Sequence, residues 1–244
     1  MTELSTAIVA LIDPHPGQAR PFNRWYEGDH FYSAVMAGPG VMSGARWVAT
    51  RACKELRVGG GLFGDAGRGS FLATYWLEDG GQERWDDWVP GRMAELVDEG
   101  RMFAARDHIH TAVYRRSWAV HQPSGPPIEV ALDRHYAGLI ALAVDRGRLH
   151  DLGAIDTWHR ELVAAVPALD VSVGLTQERF VLSSLEQPAA DSERHVLLLA
   201  FTDADPIALW RDAVRDRAVE LGAVGFGGPF LATVPGTDTY VDDL

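Results

Sequence analysis

The chain has 244 residues, 47% apolar and 23% charged, with a net charge of -12 at neutral pH. That is enough apolar matter for one large domain or two small ones, and too acidic a balance for a surface that binds nucleic acid. No apolar run approaches the roughly 20 residues needed to cross a bilayer, and the N-terminal stretch lacks the basic-then-apolar order of a secretory signal, so a cytoplasmic protein without a membrane partner is expected.

Thr6 to Ile12 is a short apolar run closed by the turn cluster Asp13-Pro14-His15-Pro16-Gly17 and reads as a strand. From Pro21 the pattern turns helical, with Phe22, Trp25, Tyr26, His30 and Val35 at steps of three to five, until Gly38-Pro39-Gly40 stops it. Strands follow over Val41 to Arg51 and Phe71 to Leu77, separated by a glycine-rich loop from Gly59 to Gly69 that could lid a pocket. A helix from about Gln82 to Glu99 carries Trp85 and Trp88, and a strand from about His108 to Val120 closes the half. After the linker-like Gln122-Pro123-Ser124-Gly125-Pro126-Pro127 the order repeats. Gly138 to Val144, a Trp158-bearing helix, Val171 to Leu182, His195 to Phe201 and a Trp210-bearing helix stand where their counterparts stood. Trp25 lies 12 residues beyond Asp13 and Trp158 lies 13 beyond Asp145, while Trp85 to Glu95 and Trp210 to Glu220 are both ten.

The expected class is therefore α+β: two tandem ferredoxin-like βαββαβ units whose antiparallel sheets pair within one chain into a barrel with the helices outside. The division is residues 1–122 for the first unit, 123–133 for a linker and 134–244 for the second. The two copies differ in polarity. Tyr26-Glu27-Gly28-Asp29-His30 of the first is answered by His159-Arg160-Glu161-Leu162-Val163, so the second site is expected to be degenerate. Fusion supplies the sheet pairing, which leaves a monomeric pseudo-dimer or a homodimer of such chains open.

Tyr26 and His30, four apart on one helix face, form a possible proton-transfer pair. Asp107-His108-Ile109-His110 opens a strand, and simple alternation puts His108 and His110 on one face as a second acid/base pair. A metal there would need a third ligand, and none is expected. Trp47, Trp76 and Tyr75 lack counterparts in the second half and are the aromatic residues expected to contact substrate. Arg46 is a candidate to neutralise a carboxylate or enolate, and Asp29 to orient the imidazole. The single Cys53 allows no internal disulfide and no thiolate zinc site. One lysine against 21 arginines suggests a GC-rich bacterial source. No dinucleotide fingerprint, phosphate loop or serine elbow is present.

Trp25-Tyr26 followed by His30, then Gly38-Pro39-Gly40-Val41 and a strand with Arg46-Trp47, resembles the EthD-like branch of the dimeric α+β-barrel superfamily. The resemblance implies a small hydrophobic substrate pocket used without a cofactor. It also implies chemistry among isomerases, cyclases and dehydratases, a kind of lyase, with cofactor-independent monooxygenases as the alternative. A non-catalytic carrier of a hydrophobic ligand and a haem protein with one axial histidine are the remaining readings.

Overall fold

The computed structural model describes residues 3–59, 63–149, 151–178 and 194–244. The chain opens with β1 (Leu4–Pro14), then α1 (Ala19–Trp25), which runs without a break into a wider π-type winding over Tyr26–Met36. β2 (Val41–Val48), the short α2 (Arg51–Glu55), a two-residue β3 (Val58–Gly59), β4 (Phe71–Glu78), α3 (Gly81–Asp98) and β5 (Arg106–His121) complete the first half. The second half holds α4 (Ile128–Asp133), β6 (Gly138–Asp145), α5 (Arg146–Leu149), α6 (Leu152–Ala165), β7 (Val171–Gln177) and β8 (His195–Thr202). It ends with α7 (Pro206–Leu209), a π turn (Trp210–Val214), α8 (Arg215–Glu220) and β9 (Val224–Ala232). Two expectations shift. The strand from Val41 stops at Val48 because Thr50 caps α2, its side chain accepting from the Cys53 N–H, and the segment expected as linker contains α4. The part of the Val171 strand expected beyond residue 178 lies outside the described residues, as do residues 60–62 of the glycine loop.

Each half forms a four-stranded antiparallel sheet in the order β2-β4-β1-β5 or β7-β8-β6-β9. The halves join through β5–β7 and β2–β9, so the eight long strands close into a barrel, and among the described residues only β3 lies outside the ring, on β9. The two joints are unequal. β5 and β7 pair from Tyr114↔Gln177 to His121↔Val171, while β2 and β9 meet only at Trp47↔Ala232 and Val48↔Leu231.

Strand alternation then sorts the side chains into three cores. Leu11, Trp47, Trp76, Tyr114, Leu139 and Phe230 fill the barrel interior. Ile8, Tyr26, Phe71, Tyr75 and Trp85 lie between the first sheet and its helices, and Ile140, Leu162, Val163, Leu198 and Trp210 between the second sheet and its own. Phe63, at the end of the glycine loop, packs inside the barrel against His110 and Phe226, at centroid distances of 5.1 and 4.7 Å. The buried Arg57 donates to the carbonyls of Ala66, Arg68 and Gly69, so the described part of this loop is pinned over the barrel rather than over the first half's helices. Among the described residues no helix is long and apolar enough to cross a membrane.

Candidate active site between the first sheet and its helices

The residues that expose chemistry converge on the helix side of the first sheet. Here the π winding matters: its bonds run five residues back, as in Ala37 N–H to Tyr32 C=O at 2.8 Å, and this wider turn is often found at functional sites. Tyr26, His30, Ala34 and Val35 line one wall of a cavity of about 80 Å³. Ile8, Ala10 and Ile12 of β1 form its floor, Trp85, Val89 and Met93 of α3 the second helical wall, and Tyr75, Arg106, His108 and Thr111 its polar rim. The turn that ends the first helix is held against α3 at Gly40 (φ +82°), where an added Cβ would sit 2.6 Å from the Gly81 backbone.

His30 stacks on Trp25 with centroids 4.4 Å apart and meets the Tyr26 ring edge-on at 5.1 Å. Its Nδ1 is buried with no hydrogen-bond partner among the described residues. Burial, assisted by the nearby Arg106, pushes the His30 pKa down to about 3, so the imidazole is neutral at physiological pH. The Tyr26 and Tyr75 hydroxyls bond each other at 3.0 Å, and burial raises both phenols above their ordinary value. His108 is likewise pushed down to about 4, by burial and then Arg106. Its Nε2 accepts from Arg106 Nε at 3.3 Å, which leaves Nδ1–H to donate to Thr111 Oγ1 at 2.9 Å and fixes the tautomer. Two guanidiniums lie over aromatic rings of this helix: Arg46 is 4.5 Å over the Tyr26 ring, and Arg106 is 5.0 Å over Trp25. The arrangement offers an unprotonated imidazole, a pair of phenols and a positive field in a small, largely apolar chamber.

Of the residues expected to act, Tyr26, His30, Tyr75 and His108 meet here, with Arg46 behind Tyr26. The shared face expected for His108 and His110 is corrected. β1 and β5 slip register between Leu11↔His110 and Ile12↔His108, so Ile109 is a bulge residue and the two imidazoles emerge on opposite sides of the sheet. His110 points into the barrel and bonds Tyr114 Oη at 2.6 Å. Trp76 is also in the barrel interior, fully packed, and Trp47 is there too, its Nε1–H donating to Thr74 Oγ1 at 3.1 Å. Asp29 does not touch His30 by hydrogen bond; Arg101 holds its carboxylate and keeps it below the usual range. Arg106 and Thr111 are site residues that the sequence reading did not single out, and Trp85, read there as a repeated structural tryptophan, also lines the cavity. Arg106 stands directly before the Asp-His-Ile-His run, which was its one available signal.

The corresponding space in the second half is filled. Val163, in the place of His30, is buried in the apolar core, and Trp118 lies over β7 at Gly174. His159, in the place of Tyr26, accepts from Trp118 Nε1–H at 2.9 Å and bonds Ser172 Oγ at 2.6 Å, while Ser172 Oγ–H donates to the Leu199 carbonyl at 3.1 Å. Every donor in that chain has an acceptor, which is the signature of a satisfied core histidine. A wider groove, about 770 Å³ near Lys54 and Arg68, is lined by ions that already neutralise each other: Arg68 bonds Asp107, Arg20 bonds Asp242, and Lys54 bonds the Ser70 hydroxyl that Asp13 accepts. Among the described residues no three His, Cys, Asp or Glu side chains are grouped to hold a metal ion. As it stands the His30 cavity is too small for haem, His108 and His159 have both nitrogens engaged, and His110 sits in the packed barrel, so none of His108, His110 and His159 presents a free nitrogen as an axial ligand.

No protein-family model matches the sequence, and a search of curated proteins gives no match. Solved structures do match over nearly the whole chain. An anthrone oxidase-like protein shares 13% identity over 95% of this chain and 92% of that one, with a TM-score of 0.55. A candidate monooxygenase of Fusobacterium nucleatum shares 8% over 95% and 94%, with a TM-score of 0.52. A candidate chlorite dismutase shares 12% over 99% and 100%, also with a TM-score of 0.52. At such identities the likeness concerns architecture, and it coincides with the closed ring of eight antiparallel strands found here: the chain has the dimeric α+β-barrel fold, with both halves of the barrel supplied by one polypeptide.

Proposed function

We propose that the protein is a cofactor-independent enzyme that removes a proton from a small hydrophobic molecule bearing a carbonyl or hydroxyl group. The observation that carries this reading is the buried, unpartnered Nδ1 of His30 in a cavity that also presents the Tyr26–Tyr75 hydroxyl pair. With its proton on Nε2, His30 accepts the substrate proton at Nδ1, and the resulting negative charge falls on the substrate oxygen. Tyr26 donates to that oxygen, and Tyr75 in turn donates to Tyr26, so the phenol need not surrender its own partner. Arg46 and Arg106 contribute a positive field. The imidazolium then returns the proton to a different carbon, which is isomerisation, to the alkoxide formed when the carbanion bonds to a second carbonyl carbon of the same molecule, which is ring closure, or to a departing hydroxyl, which is dehydration.

Substrate entry requires the cavity to enlarge. Val89 and Met93 flank Pro90, which removes one backbone hydrogen bond from α3 and weakens that turn, so α3 is the wall that yields. The resemblance to the EthD-like branch supports the same location. The names of two proteins of this fold, an anthrone oxidase-like protein and a candidate monooxygenase, favour a second reading. In it His30 generates the same anion, whose carbon bonds to molecular oxygen; the imidazolium protonates the resulting peroxide anion, and the hydroperoxide loses water to leave a new carbonyl.

The test uses a β,γ-unsaturated cyclic ketone in deuterium oxide, with ultraviolet absorption of the conjugated isomer and deuterium incorporation as readouts, and anthrone in an oxygen electrode. Isomerisation with exchange that falls about 10²–10⁴-fold in His30→Gln supports proton transfer. Oxygen uptake on anthrone that depends on His30 selects the second reading. Activity undiminished in His30→Gln refutes both. Tight binding of these probes without turnover leaves a non-catalytic carrier.

A further inference from the structure

The short β2–β9 joint leaves a second chamber, of about 160 Å³, at the seam between the two halves. Its walls come from both copies: Glu27, Phe31 and Trp47 from the first, Tyr136 and Thr233 from the second. Two charged side chains line it, each with hydrogen-bonding capacity left unused among the described residues. Arg46 is 7% exposed; its Nη1 donates to Asn23 Oδ1 at 3.1 Å and lies 3.6 Å from Glu27 Oε2, but its Nη2 is buried with no partner among the described residues. Glu27 uses Oε1 to accept from the Gly236 N–H at 3.2 Å, and its Oε2, ion-paired with Arg46 Nη1 at 3.6 Å, is buried with no hydrogen bond among the described residues. A buried donor and a buried acceptor left open side by side are costly, and one small group that both accepts and donates would satisfy the two at once. A hydroxyl is such a group. Aromatic walls complete the recognition, and a cavity of about 150 Å³ is known to admit a single benzene ring.

From this juxtaposition we infer that the seam chamber binds a monocyclic phenol, its hydroxyl accepting from Arg46 Nη2 and donating to Glu27 Oε2 while the ring lies among Phe31, Trp47 and Tyr136. The inference is independent of the proton-transfer reading, because it concerns a different chamber, which shares no lining residue with the His30 cavity.

Fluorine NMR titration of the intact protein with para-fluorophenol and with fluorobenzene tests it. The phenol is expected to bind at least about tenfold tighter than fluorobenzene, and Glu27→Gln to erase most of that difference. Thr233→Phe, which fills the chamber from a partly exposed position, is expected to abolish binding, with circular dichroism reporting that the variant is folded. Equal affinity for the two probes, no detectable binding of the phenol, or binding that survives Thr233→Phe but is lost in His30→Phe would overturn the assignment. The last outcome would place the ring in the other cavity.

Discussion

His159 offers a quantitative test of how the second half is held together. Its imidazole is 1% exposed, and burial pushes its pKa down to about 4, against about 6.5 in an unfolded chain. The unfolded state therefore binds this proton first as the pH falls. The stability associated with the neutral side chain is complete above pH ~6.5 and is lost progressively down to about pH 4, at about 1.4 kcal/mol per pH unit once well below 6.5. Between pH ~7 and pH ~5 this one histidine should cost the native protein about 2 kcal/mol. In His159→Gln that titration is gone. The variant loses the Trp118 contact, so near neutrality it should be about 1–3 kcal/mol less stable than the wild type, yet the deficit should shrink by about 2 kcal/mol at pH ~5. Urea unfolding of both proteins at the two pH values reads the difference directly. A deficit that stays the same at both values would show that His159 is not held neutral by burial, and the reasoning would fail.

Gly174→Ala would place a Cβ 2.1 Å from Trp118 Cε2, and the indole is tied to His159, so a loss of about 1–3 kcal/mol in thermal or urea unfolding is expected, whereas an unchanged midpoint would mean the ring can move away. Because the folded His30 pKa is depressed to about 3, its neutral, basic form persists well below pH 6.5; kcat/KM should stay level as the pH falls from about 8 to about 5, and an acid limb centred near 6.5 would contradict the site electrostatics. Tyr26→Phe removes the hydroxyl proposed to meet the developing charge, so turnover should drop about 10²–10³-fold, while Tyr75→Phe, acting through Tyr26, should cost clearly less.

Much of the architecture was legible in the residues. The apolar runs, glycine and proline stops and repeated tryptophan spacings defined the strands and helices, because strand and helix periodicity depends on which side of each element must be buried and is written locally. Tyr26 and His30 could be paired for the same reason, being neighbours on one helix. Faces across the sheet were another matter. Alternation from His108 gives the wrong side for His110 because a one-residue slip opposite Leu11 reverses every side chain beyond it, and a bulge is decided by pairing with a distant strand, not by the residues that bulge. Alternation alone puts Tyr75 opposite Trp76 and Arg46 opposite Trp47 across the sheet, but which of the two faces became the barrel interior depends on the second half closing the ring. The inequality of the two joints, and with it the seam chamber, exists only once β2 and β9 meet over two residue pairs, a fact of three-dimensional closure that no local pattern carries.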